Sequence, residues 1–405
     1  MTDAAAPSDG QKRSRTWWKV LLIAIAAFLI VVIVGVALFM RVSVRRAFPD
    51  VDGEVAIAGL DSTVEVIRDD MGIPHIYASS THDVFMAQGY VHAQERFWQM
   101  DFWRHIGAGR LSEMFGESQV ETDTFLRTLG WHEIAEAQYE AAPPDMRAIM
   151  DAYADGVNAY IATQSPADLS FEYTVLEFTN HSYTPEMWTP VDTLSWGIAM
   201  AWDLRGNMDS EIERAILLGT LTDSQVAQLF PPYPGDINPY IVPANENDAD
   251  LVTTMAASLR STPALRSALS SAQENINLLA ALGASAPEAG IGSNSWVISG
   301  DRSSTGSPIL ANDPHLAIQM PSIWFQNGLH CTDVSAACPF DVAGFSFAGV
   351  PGVIIGHNAN IAWGVTNLGP DVQDLYVEKV NPGNPNQYEV NGVWVDMDVH
   401  EETIA

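Results

Sequence analysis

The chain has 405 residues, 47% of them hydrophobic and 17% charged, with two cysteines. Hydrophobic content near the globular average excludes intrinsic disorder for most of the chain, and the length leaves room for two or three domains. The net charge of −31 is unevenly spread: residues 1–46 hold seven basic and two acidic residues, whereas the remainder holds 12 basic against 48 acidic, with Lys379 as its only lysine. So acidic a body repels phosphate backbones, which makes nucleic acid a very poor candidate partner.

Residues 1–19 read as a short basic tail, and 20–40 as an uncharged run of 21 residues rich in Val, Ile, Leu and Ala. At about 1.5 Å per residue this run measures ~30 Å, the depth of a bilayer's hydrocarbon core. Trp17 and Trp18 stand at one edge, where amphipathic rings favour the headgroup region. A secretory signal peptide has a shorter apolar core and a small-residue cleavage site, so a retained transmembrane anchor is the expected reading. Basic residues flank both ends and orient the anchor only weakly; the expectation is a cytoplasmic N-terminus and an extracytoplasmic acidic body, on the periplasmic or extracellular side. In that setting Cys331 and Cys338 suit either a local disulfide or two free buried thiols.

Beyond the anchor, Thr63–Arg68 alternates like a strand, Asp69–Gly72 reads as a turn, and Ile73–Ala78 as a second strand. Met86, Tyr90, Ala93, Phe97 and Met100 then recur at helical spacing, with Asp83 as the expected N-cap and Gly107 and Gly109 at the end. Residues 146–161 and 209–221 have similar helical character, and Pro231–Gly235 reads as a loop. Residues 249–292 lack aromatics and are dominated by Ala, Ser, Leu and Thr, the composition of a weakly helical linker. From Ser295 the texture turns β-rich and glycine-punctuated, through 295–300, 345–347, 352–356 and 360–364.

Common catalytic signatures are missing. His132-Glu133-Ile134-Ala135-Glu136 lacks the second histidine of a zincin, and there is no P-loop or GxGxxG. Gly344-Phe345-Ser346-Phe347-Ala348 falls one glycine short of a nucleophile elbow, which leaves an α/β-hydrolase built on Ser346 as a minor alternative. Gly292-Ser293-Asn294-Ser295-Trp296 stands at the border between the linker and the sheet. A serine heading a strand directly after a removable segment is where a self-cleaving hydrolase places a new N-terminus. The freed α-amine, with an ordinary pKa of about 7.7–8.0, would act as general base beside its own hydroxyl.

Several ordered blocks carry a resemblance to a known family. They are Val66–Ala78, Ala87–Asp101 and Gly109–Glu113, then Gly292–Trp296, Ala311–Leu316, Gly349–Gly352 and Gly356–Thr366. Together they resemble the penicillin acylase family of N-terminal-nucleophile hydrolases. The resemblance implies an α+β fold, an αββα sandwich preceded by one transmembrane helix. Residues 47–248 would form a helical small-chain region, 249–292 a spacer, and 293–405 the start of a catalytic large chain. Autoproteolysis would cut between Gly292 and Ser293 and leave the small and large chains as a heterodimer.

By the same resemblance the enzyme removes an acyl group from a small-molecule N-acyl amide, of penicillin or N-acyl homoserine lactone type. Ser293 is the nucleophile, the backbone N–H of Asn367 is one oxyanion donor, and His315 lines the site and orients the hydroxyl. Glu211, Asp371, the carbonyl of Gln373, and Asp374 match ligands of a structural Ca²⁺. Only 113 residues follow Gly292, so a truncated chain is expected. The alternatives are a catalytically silent, membrane-tethered binding protein of the same fold and an inactive fragment.

Overall fold

The computed structural model describes residues 10–204, 207–231, 234, 237, 263–281, 292–316, 318–369, 373, 376 and 378–405. They fall into two compact units, one of residues up to Glu54 with Thr163–Thr184, the other of Val55–Ala162 with Pro185–Ala405.

The first unit is built on a 37-residue helix, Gly10–Arg46, whose stretch from Trp17 is long and apolar enough to cross a membrane and exposes its apolar side chains. Phe39 meets Phe178 edge to face at 6.1 Å. Arg46 bonds both oxygens of Asp168, and that bond holds the carboxyl down at about 2.

The second unit joins helices to short strands, among the described residues β1 Glu65–Arg68, β2 Pro74–Ala78, β3 Gly292–Ile298, β4 Ile309–His315, β5 Trp324–Cys331, β6 Asp341–Phe347, β7 Ile355–Asn358, β8 Ala362–Trp363, β9 Val380–Asn381, β10 Asn384–Val390 and β11 Val393–Asp396. One sheet runs β1-β2-β5-β6-β7-β8, another β11-β10-β9, and β3 pairs with β4 alone. The mixture is α+β, as expected. The β1–β2 hairpin turns where the Asp69 carboxylate accepts from Met71 N–H and Ile73 N–H, both at 2.9 Å. This hairpin does not stay with the helical region: β2 pairs in parallel with β5, His75 opposite Gly328.

Alternation along β2 buries Pro74, Ile76 and Ala78 and leaves His75 and Tyr77 half-exposed. Ile76, Ala78, Phe325, Leu329 and the disulfide pair Cys331–Cys338 pack against Val84, Phe85 and Val91 of the helix Thr81–Ala108. The two cysteines are therefore bonded rather than free. The helix is capped by Ser80, whose side chain accepts from Asp83 N–H, not by Asp83. Asp83 sits one turn in and is fully buried, and its carboxylate accepts from Asp61 N–H and Ser62 N–H instead. Gly109 ends the helix in the left-handed conformation, φ 60°.

A second helix, Pro144–Ile161, crosses the first backbone to backbone. A Cβ on Gly156 would lie 1.7 Å from the Met86 carbonyl oxygen, and one on Gly89 2.0 Å from that of Tyr153, so only glycine permits the approach. Residues 263–281, read from composition as linker, form a helix with Leu269, Ile276 and Leu279 buried in the core beside Ile212 and Leu218. Leucine, alanine and isoleucine at three- and four-residue steps (Leu265, Leu269, Ala272, Ile276, Leu279) were the signal for it.

The loop from Gly349 to Gly352, between β6 and β7, is held by the helices. Gln88 Oε1 accepts from Gly352 N–H at 2.8 Å, while its Nε2 donates to Gly352 O at 2.9 Å and to Asn327 Oδ1 at 3.1 Å. Thr193 Oγ1 donates to Gly349 O at 2.8 Å, and the Tyr153 hydroxyl accepts from Gly349 N–H at 2.9 Å. Tyr153 OH also meets Nδ1 of His92 at 2.7 Å, and burial, reinforced by Arg96, pushes the His92 imidazole down to about 3.

Two predictions follow from this packing. Gln88→Ala leaves Gly352 N–H and Asn327 Oδ1 without their buried partner, and should cost about 2–4 kcal/mol in denaturant unfolding. His92 stays neutral in the folded chain but protonates in the unfolded chain below its ordinary value, so its contribution is complete above pH ~6.5 and is lost as pH falls toward about 3. At about 1.4 kcal/mol per pH unit the loss reaches several kcal/mol. His92→Gln should flatten the fall of Tm between pH ~6 and ~4; a slope equal to wild type would show that His92 takes up its proton without unfolding.

Candidate active site

Ser293 is the second residue of β3 and lies across from Pro314 of β4; Gly292 lies across from His315, and Ser295 from Asn312. Opposed residues of an antiparallel pair share a face, and successive residues alternate. Ser293, Ser295, Asn312 and Pro314 thus share one face of the ribbon, and Gly292, Asn294, Asp313 and His315 share the other. The first face is the more covered: Leu310, Asn312 and Pro314 are half-buried while Ala311, Asp313 and His315 are exposed. Ser293 is half-buried too.

The register brings His315 to the rung of the Gly292–Ser293 bond but sends its ring out on the face away from Ser293. There Nε2 stands 3.6 Å from the carboxylate of Asp313. The continuous strand explains this, because Ser293 and His315 sit one position out of register. Asn367 lies in the extended segment after β8, and its side-chain oxygen accepts from Gly369 N–H at 3.0 Å.

Of the residues expected to hold Ca²⁺, Asp371 and Asp374 lie outside the described residues. Glu211 is on the helix Met208–Leu218 and accepts from Asn207 Nδ2 at 3.0 Å. The side-chain oxygen of Gln373 is buried with no hydrogen-bond partner among the described residues. Hard oxygens of this kind suit Ca²⁺, although the expected ligand set uses the backbone carbonyl of Gln373 rather than this oxygen. The acidic group Asp61, His82 and Asp83 also brings ligand atoms together, but its Asp83 oxygens already accept backbone N–H groups.

The alternative nucleophile fails on geometry. Ser346 is fully buried inside β6, donates to Gly352 O and accepts from Asn327 Nδ2 at 2.6 Å. Its hydroxyl is committed to the packing of the sheet, and no helix follows it as an elbow requires.

Residues missed by sequence reasoning are those that act through bonds rather than chemistry. Gln88, Tyr153 and Thr193 hold the loop before β7, and Asn312 ties β4 to the segment after β8. Gln88 and Asn312 lie inside the quoted blocks, but a carboxamide in a motif does not announce its partners.

Residues 63–405 match the family described as penicillin amidase, and the chain belongs to that family. It is similar to the acyl-homoserine lactone acylase QuiP of Pseudomonas aeruginosa, 33% identical over 362 residues that make up 88% of this chain and 39% of that protein. It is likewise similar to the penicillin acylase 2 proenzyme of Pseudomonas sp. (strain SE83), 33% identical over 344 residues, 84% of this chain and 40% of that protein. The penicillin G acylase of Escherichia coli is 29% identical over 388 residues, 85% of this chain and 43% of that one. The chain therefore spans about 40% of the length of these relatives. A solved structure of thermostable penicillin G acylase from Alcaligenes faecalis aligns with a TM-score of 0.36 at 26% identity, covering 45% of this chain and 96% of that one.

Proposed function

We propose that this protein is an amidohydrolase that removes the acyl group from a small N-acylated amine, with Ser293 as nucleophile after self-cleavage. The family match over residues 63–405 carries the reading, together with a half-buried serine at the head of a strand. In the first step Ser293 Oγ attacks the Gly292 carbonyl, the peptide C–N bond breaks, and the acyl group moves to oxygen. That break frees the Ser293 amine; water then hydrolyses the ester and releases the Ser293 hydroxyl and the Gly292 carboxylate. In turnover the same Oγ attacks the substrate's amide carbonyl while the α-amine, through a water, takes its proton. The Asn367 N–H meets the developing oxyanion. The proton passes to the leaving amine, and water releases the acid from the acyl-enzyme. Orientation of Ser293 by His315 belongs to the cut state in this reading, since in the continuous chain the ring leaves on the far face.

The named activities of the relatives support two substrate classes, acyl-homoserine lactones and penicillins. An apolar N-terminal helix and a disulfide between Cys331 and Cys338 support an extracytoplasmic body held by a signal anchor or exported by a signal peptide. Ca²⁺, when bound, would be held by Glu211, Asp371, Gln373 and Asp374 and would tie the small-chain helices to the large chain.

Two measurements test this. In the full-length gene product, denaturing electrophoresis with N-terminal sequencing should show a chain beginning Ser293-Asn294-Ser295. Ser293→Ala should remain uncut and inactive; a wild type that stays uncut would support a silent binding protein instead. Chelation by EDTA should lower the Tm of the processed protein and Ca²⁺ should restore it; an unchanged Tm removes the metal from the reading.

A further inference from the structure

We propose that Asn312 is a positioning residue that fixes the oxyanion segment against the nucleophile strand; this rests on the roles given above to Ser293 and Asn367. Asn312 stands on the Ser293 face of the ribbon, opposite Ser295. Its Nδ2 donates to Asn294 O at 3.2 Å and to Val365 O at 3.0 Å, and its Oδ1 accepts from Val365 N–H at 3.2 Å. Both N–H donors of the carboxamide and one acceptor site of its oxygen are thereby used. The two bonds to Val365 imitate a strand pairing: one side chain takes the place that a neighbouring backbone would fill. They grip the residue two before Asn367, while the third bond grips the residue directly after Ser293. One side chain thus spans the two backbone segments whose separation sets the distance from hydroxyl to oxyanion donor.

Gly364 completes the arrangement. A Cβ there would lie 2.7 Å from Cβ and Cγ of Asn312 and 2.8 Å from its Oδ1. The glycine therefore makes room for Asn312 to reach Val365. Aspartate, the same shape without N–H donors, would face the carbonyls of Asn294 and Val365 with negative charge. An oxyanion donor must sit within about 2.7–3.1 Å of the developing charge, and a misplacement of about 1 Å costs on the order of 100-fold in rate.

The test uses full-length protein carrying Asn312→Ala, Asn312→Asp, Gly364→Ala or the Asn312→Ala/Gly364→Ala pair. Rates per cut enzyme are read on phenylacetyl and dodecanoyl 4-nitroanilides, and folding is read by Tm. Each single change should lower kcat about 100-fold and leave KM within about threefold. The pair should lose no more than either single change, because both act through one contact. An Asn312→Ala chain that melts like wild type but stays uncut supports the proposal as well, since the first carbonyl that Ser293 attacks needs the same donor. Wild-type kcat in Asn312→Ala, or losses that multiply in the pair, would overturn the positioning role and leave the Ser293 reading intact. An uncut wild type that hydrolyses neither anilide would overturn the Ser293 reading, and this proposal with it.

Discussion

Gln88 has no exposed surface, and its carboxamide is bonded on both sides, to the backbone of Gly352 and to the side chain of Asn327. A buried amide left unpaired costs more than a paired one contributes, so the group fixes the distances among its neighbours more than it adds stability. On another side of the same helix, Gly89 and Gly156 let it touch the helix Pro144–Ile161 backbone to backbone, which fixes its place within the helical layer. With the loop from Gly349 to Gly352 fixed, β7 follows directly. Trp363 of β8 then bonds Ile354 O through its Nε1 at 3.0 Å, and the segment bearing Val365 and Asn367 is carried to β4. The position of the candidate oxyanion donor thus depends on a helix some 270 residues earlier in the chain.

Buried charge and polarity follow the same logic. Asp101 and Arg104 are both buried and paired at 2.7 Å, with the remaining guanidinium donors on the carbonyls of Glu186 and Met187. His92, buried and with Arg96 close by, stays neutral instead. Among the described residues, buried carboxylates such as Asp83, Asp101 and Asp123 find specific hydrogen-bond partners rather than standing bare in the core.

The sequence made legible those features that depend on periodicity or on short-range turn chemistry. The β1–β2 hairpin, the long helix after it and the helix ending at Ile161 stand where alternation or helical spacing puts them, and the glycine-rich strands appear near their expected places with shifted ends, β7 starting at Ile355 rather than at Gly352. What was not legible depends on partners distant in the chain. Asp83 has the residue type of a cap, yet the cap is Ser80, because Asp83 is drawn to backbone donors at 61 and 62. Composition marked residues 263–281 as linker, while the apolar stripe of that segment fills a gap beside Ile212. His315 carries a site-like motif, but strand register, which no local pattern specifies, decides on which face its ring emerges.

The same contacts bear on how a chain could be cut at residue 292 and remain one body. Strands β1 and β2 precede that bond and β5 to β8 follow it, yet all six lie in one sheet, joined through the parallel pairing of His75–Ala78 with Gly328–Cys331. Gln88, Tyr153 and Thr193 come from before the bond and Gly349 and Gly352 from after it. None of these interactions needs the covalent link. A cut at that bond, as proposed above, would act on the ribbon, where Gly292 is paired with His315. With the Ser293 amine freed, the end of β3 would still be held, among the described residues, by its ladder to β4 and the Asn312 bond at Asn294. In the proposed reading, a cut there would release the start of β3 while the β2–β5 pairing and the bonds from Gln88, Tyr153 and Thr193 to the loop before β7 would hold the two parts together.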